Sequence, residues 1–160
     1  MNKNSINRIV LYFLVIAFLA GCGSSRKLAT KRKNVDAIIK TARSYTGTPY
    51  KWGGTTRQGI DCSGLLLKSF DAIKMEIPRT SIEQSKIGSR VSLDKLEEGD
   101  LVFFAAGKKK NKITHAGLVT AVRGKDNVQF IHSSSSKGVV EANLMSKYYQ
   151  GIFIKAIRAF

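Results

Sequence analysis

Two different periods of apolar residues divide this chain. Val35, Ile38, Ile39 and Ala42 recur at helical spacing, with Asn34 placed to cap the helix and Gly47 to end it. Leu65, Leu66, Phe70 and Ile73 repeat the helical period in a second segment that opens at Cys62. A short third helix is predicted in "PRTSIEQSKIG". There Thr80 and Glu83 make a capping box, Pro78 lies just upstream and Gly88 closes the segment. Beyond it the pattern changes to short β-like runs at 101–104, 114–122, 128–132, 138–142 and 151–159, separated by Gly-Asp, Gly-Lys-Asp-Asn and Ser-rich stretches. Helices followed by a meandering antiparallel sheet predict an α+β domain over residues 35–160, long enough for one compact core. No internal repeat is present.

The N-terminal pattern is of another kind. Lys3 and Arg8 precede an unbroken apolar run from Ile9 to Ala20. A membrane span needs about 20 such residues, whereas a secretory signal core needs fewer. The run ends in Leu19-Ala20-Gly21-Cys22, which resembles a bacterial lipobox. That resemblance implies removal of residues 1–21 and lipidation of Cys22, which anchors the protein to a membrane without a transmembrane helix. Gly23 follows in place of an acidic residue, which favours the outer membrane, facing the periplasm. Residues 22–34 then read as a basic, flexible tether, whose Arg26, Lys27, Lys31, Arg32 and Lys33 suit anionic headgroups.

Charge and cysteine content sharpen the functional reading. The net charge is +16, and loss of Lys3 and Arg8 with the leader leaves 25 basic against 11 acidic residues, or +14. Such a balance favours polyanionic neighbours, but export and the lack of a nucleic-acid motif exclude nucleic acid as the partner. The chain has two cysteines, and acylation of Cys22 leaves Cys62 without a disulfide partner. Cys62 stands at a predicted helix N-terminus behind Asp61, where the helix dipole and free N–H groups favour a thiolate and an oxyanion. The two histidines, His115 and His132, both fall in predicted strands. A thiol, a base (His115) and a residue that orients the base (His132) form the general logic of cysteine hydrolases. One geometric obstacle is visible in advance. With a hairpin loop at Gly124–Asn127, His132 falls opposite Val119, about four residues from His115, so a bulge or tighter turn has to shorten the stagger. Asn127, Gln129 and Ser133 are alternative orienting residues. A zinc site built from Cys62, His115, His132 and Asp61 lacks any close ligand pair, so no metal or cofactor is expected.

Six stretches in order carry a family resemblance: Tyr50-Lys51-Trp52-Gly53-Gly54, Asp61-Cys62-Ser63-Gly64-Leu65, Pro78-Arg79-Thr80-Ser81 with Gln84, Gly99-Asp100-Leu101-Val102-Phe103-Phe104, His115-Ala116-Gly117, and Phe130-Ile131-His132-Ser133. They resemble the NlpC-type cell-wall cysteine peptidases, and the lipoprotein layout resembles their murein endopeptidase branch. The resemblance implies a papain-like fold and attack by Cys62 on an amide of a peptidoglycan stem peptide, with His115 as base and His132 orienting it. It also implies that Tyr50 lies beside the thiol, that Asp61 and Ser63 bind an amine or polar group of substrate, and that Arg79 flanks the groove. A monomer is expected. The seventeen-residue interval between the histidines and the basic insert "AAGKKKNK" before His115 are departures from the family pattern. Amidase or acyltransferase chemistry on the same scaffold, or a wall-binding protein with a decayed site, are the competing readings.

Overall fold

The structure is a computed structural model, described here for residues 25–107 and 111–160. The signal-like segment and Cys22 lie outside the described residues. No helix among those described is long and apolar enough to cross a membrane. The chain divides into two units, 1–34 and Val35–Phe160.

Within the first unit, residues 25–34 are helical. Regular helical backbone was not expected in this stretch, and Asn34 sits within helical backbone instead of capping it. The physical reason is composition: the stretch lacks Gly and Pro, and Arg, Lys, Leu and Ala have good intrinsic helix propensity.

The second unit begins with helix α1 (residues 35–44), which buries the predicted stripe of Val35, Ile38, Ile39 and Ala42. A small hairpin follows, β1 (Thr55–Thr56) and β2 (Gly59–Ile60), then α2 (Cys62–Asp71) and α3 (Ser81–Gln84). Thr80 caps α3 by accepting from the Glu83 N–H, as its sequence signature predicts. The strands are β3 (Ser89–Val91), β4 (Leu101–Phe104), β5 (His115–Val122), β6 (Val128–Ser134), β7 (Gly138–Asn143) and β8 (Phe153–Arg158), with α4 (Lys147–Ile152) between the last two. They form one six-stranded sheet in the order β3-β8-β4-β5-β6-β7, every described pairing antiparallel.

Strands β4 to β7 form the expected meander, but β8 inserts between β3 and β4. Asp100 holds this junction: its buried carboxylate accepts two hydrogen bonds from Arg158 of β8, at 2.8 and 2.9 Å, and one from the Glu97 N–H at 2.8 Å. The Gly-Asp of the fourth matched stretch is therefore structural.

The sheet is buried on both faces. Leu101, Phe103, Ala116, Leu118 and Ile131 pack in one cluster with Val35, Ile38, Leu65, Leu66 and Phe70 of the helices. Val102, Phe104, Val119, Phe130 and Ala156 form a second cluster, against which Tyr149 and Ile152 of α4 pack. Period-2 alternation assigns His115 and His132 to this second face, at the end of the sheet near the α2 N-terminus.

Candidate active site

Asp61 determines how α2 begins. Its extended backbone stops the helix, and its Oδ1 accepts from the Gly64 N–H at 2.6 Å and the Ser63 hydroxyl at 3.0 Å. Arg79 then grips the same carboxylate from the α2–α3 connection, Nη1 to Oδ1 at 3.0 Å and Nη2 to Oδ2 at 2.7 Å, and the Gly53 N–H donates to Oδ2 at 2.8 Å. Burial would raise this carboxyl's pKa, but the hydrogen bonds from Arg79, Gly64 and Ser63, with the Arg79 charge, hold it below its ordinary value. With five donors on two oxygens, Asp61 serves as cap and as anchor for Arg79. Gln84 adds a clamp: its side-chain amide donates to the carbonyls of Ser63 at 3.0 Å and Pro78 at 2.8 Å. Gly64 is required by close approach, since a Cβ there would lie 2.3 Å from the Gly54 carbonyl oxygen.

This framework fixes Cys62 as the first residue of α2. It is buried, and it is a free thiol. Burial pushes its pKa up to about 11; the Ala116 N–H opposes this, the Asp61 charge adds to it, and the Ser63 and Cys62 N–H groups oppose it. The helix terminus therefore moderates a thiol that stays protonated at neutral pH, where the dipole argument alone had expected a favoured thiolate. The imidazoles are neutral too. Burial brings His115 down to about 4, and burial together with the His115 charge brings His132 down to about 3. At rest the thiol and both imidazoles are neutral.

Cys62 and His115 line one cavity of about 570 Å³ together with Tyr50, Trp52, Asp61, Ser63, Arg79, Ile82 and Ile113. Tyr50 is bridged to Ile60 beside the α2 start, and burial, then the charges of Cys62 and Asp61, raise its pKa, so its hydroxyl remains a donor. Ser63 turns its hydroxyl to Asp61 and receives Arg79 Nη1 at 2.8 Å. Tyr50, Asp61, Cys62, Ser63, Arg79 and His115 thus meet at this cavity, and His132 lies directly behind His115.

The histidine pair is joined directly: His115 Nε2 and His132 Nδ1 lie 2.8 Å apart, with rings perpendicular. The register that permits this differs from the expected one by two residues. Asn127 pairs back to Arg123 instead of lying in the loop, and a bulge at Thr120 supplies the second shift. Leu118 then faces Ile131, which brings His132 opposite Gly117 in place of Val119. The remaining diagonal of two residues is within reach of aromatic side chains. Gly117 leaves room there for the Phe130 ring, which stacks on His132 with centroids 5.0 Å apart.

None of the alternative orienting residues touches His115: Ser133 donates to the Ile60 carbonyl and Gln129 to Asn127. The residue that the sequence did not reveal is Tyr149, whose hydroxyl lies 3.0 Å from His132 Nε2. It sits on α4, in the stretch before β8 where a strand was expected from Gly151 onward. Ser146, which caps α4 by accepting from the Tyr149 N–H, is the local signal that marks it.

Comparison with known proteins places the chain among relatives. The chain is 36% identical over 158 residues to the probable endopeptidase NlpC of Escherichia coli K12, covering 94% of this chain and 99% of that one. It is 35% identical over 130 residues to the murein DD-endopeptidase MepS/murein LD-carboxypeptidase of the same organism, covering 79% of this chain and 65% of the relative. A crystal structure of an NlpC/P60 family protein from Bacillus cereus superposes with a TM-score of 0.69 at 32% identity, over 78% of this chain and 40% of the other. Residues 47–158 match the model of the NlpC/P60 family, and the chain belongs to that family.

Proposed function

We propose that this protein is a murein endopeptidase, a cysteine-type hydrolase that cleaves amide bonds of peptidoglycan stem peptides. The observation that carries the reading is the shared cavity of Cys62 and His115, with His115 bonded to His132 behind it.

The chemistry follows from the protonation states. Because thiol and imidazole are both neutral at rest, the proton leaves Cys62 as its sulfur attacks the carbonyl, and His115 takes it. The carbon–sulfur bond forms, and the oxyanion is met by N–H groups at the start of α2 and by the Tyr50 hydroxyl. The carbon–nitrogen bond then breaks, with His115 protonating the departing amine. Water then adds to the thioester carbonyl as His115 takes its proton. The carbon–sulfur bond breaks, His115 passes that proton to the Cys62 sulfur, and the stem fragment leaves as a carboxylic acid that ionises in solvent. Arg79 and Ser63 line the groove for polar groups of the stem. Asp61 holds those two side chains in place; an amine-binding role would have to displace its present donors.

The full chain is further proposed to be lipid-anchored through Cys22 after removal of residues 1–21, in the outer membrane facing the periplasm, and to act as a monomer. Mass spectrometry of purified, crosslinked muropeptides tests the activity. Stem peptides cut between amino acids are expected, and Cys62→Ala should abolish them while retaining the native circular dichroism spectrum. Undiminished cleavage by this variant defeats the mechanism. Release of intact muramyl sugars from whole peptides would instead identify an amidase.

A further inference from the structure

A neutral histidine pair in contact can be bonded in two senses, and the sense decides whether His115 can act as a base. If His115 Nε2–H donates to His132 Nδ1, the lone pair of His115 is on Nδ1, free to take the thiol proton. If His132 Nδ1–H donates to His115 Nε2, the His115 proton sits on Nδ1 and the base is blocked. The 2.8 Å separation fits either sense. The two senses also differ at the other nitrogen of His132, where the Tyr149 hydroxyl can either accept or donate. In the competent arrangement His132 Nε2 carries a proton and needs an acceptor in a side chain that is 96% buried, since His132 is 4% exposed. The Tyr149 hydroxyl is the group the structure places there, at 3.0 Å.

We propose that Tyr149 is a positioning residue: its hydroxyl oxygen accepts from His132 Nε2–H and so aligns the chain His115 Nε2–H to His132 Nδ1 and His132 Nε2–H to Tyr149 Oη. Three observations converge on it. Tyr149 is held from several sides, by Phe104 at 5.6 Å and Phe130 at 4.8 Å between ring centroids, and its N–H is bonded to the Ser146 cap. Tyr149 and His132 both line a second cavity of about 730 Å³, together with the polar Ser134, Lys137 and Glu141, which gives the phenol proton a polar environment. And burial, followed by the charge of Tyr148, raises its pKa, which keeps it a neutral phenol. The arrangement also suits the moment of catalysis. When His115 becomes an imidazolium, its Nε2–H already points at a lone pair of His132; the opposite sense would set two N–H groups against each other. The groups facing His132 are His115 from β5 and Tyr149 from α4, with Glu141 and Lys137 farther along the same cavity.

This inference rests on the proposed roles of Cys62 and His115, and its test has a readout that does not. In the full protein, long-range ¹⁵N–¹H spectra of the two imidazoles are expected to show His132 and His115 both protonated at Nε2 in the wild type. A His132 protonated at Nδ1 overturns the proposal, whatever the activity. Tyr149→Phe keeps the ring and removes only the acceptor. It is expected to lower kcat by about tenfold or more with KM unchanged, to move the acid limb of the pH–rate profile to lower pH, and to mix the histidine tautomers. Wild-type kcat and unmixed tautomers in a folded Tyr149→Phe protein would also overturn it. Failure of the functional reading is distinguishable, because Cys62→Ala would then leave cleavage intact while the tautomer spectra still report on Tyr149.

Discussion

His115 and His132 carry a consequence beyond catalysis. Both are held below the ordinary imidazole range, His115 at about 4 and His132 at about 3. An unfolded chain takes up protons at these side chains from about pH 6.5 downward, while the folded chain does not. Their folded pKa values are depressed, so stability is fully present above pH 6.5 and is lost as the pH falls toward 4. The chain has only two histidines, and carboxylates titrate mainly below pH 5. Urea unfolding between pH 6.5 and 5 is therefore expected to show stability falling by at most about 2.7 kcal/mol per pH unit, and a His115→Gln/His132→Gln double variant should flatten that slope. A flat wild-type profile would mean that the pair is not kept neutral by burial. Cys62 and the histidines were each legible as residue types in sequence. Their protonation was not, because burial sets it and the local helix-terminus argument sees only the opposing N–H groups.

At the level of elements, the hairpin of β5 and β6 is the part that brings the site together. Its apolar alternation is plain in the sequence, but its register depends on where the turn closes and whether a bulge intervenes. Each of those moves His132 by one residue relative to His115. Gly117 tests this arrangement. A Cβ at that position would lie 2.5 Å from the ring of Phe130, which is fully buried and stacked on His132. Gly117→Ala is expected to destabilise the domain by about 1–3 kcal/mol and to reduce kcat more than it raises KM, as calorimetry and steady-state kinetics would show. Unchanged kcat would separate the Phe130 stack from the function of His132. Helix α2 contrasts with this hairpin. Its start, cap and buried face were all readable because Asp61, Cys62 and the leucines act within one turn of each other. Helix α4 was harder to read, since beyond its Ser146 cap its six residues include Gly151 and bury no residue fully.

On the scale of the whole protein, the domain is proposed to work from a membrane surface to which the lipidated Cys22 ties it. Replacement of Cys22 by serine is expected to shift the protein from the membrane fraction to the soluble periplasmic fraction and to abolish incorporation of a labelled fatty acid. Retention of both in the variant would require another anchor. The sequence by itself determined the α+β class, the helix that presents Cys62, five of the six strands of the sheet (β3 was not foreseen) and the identity of the thiol and imidazoles, because those depend on local period and capping chemistry. It did not determine that β8 slots between β3 and β4, that Asp61 is saturated by Arg79, Ser63, Gly53 and Gly64, or that Tyr149 closes the line behind His132. Those contacts join residues far apart in the chain, as Arg158 and Asp100 are at 58 positions. Only the packing of the sheet between its two apolar clusters brings such groups within hydrogen-bonding distance, and only burial in that packing decides which of them hold their protons.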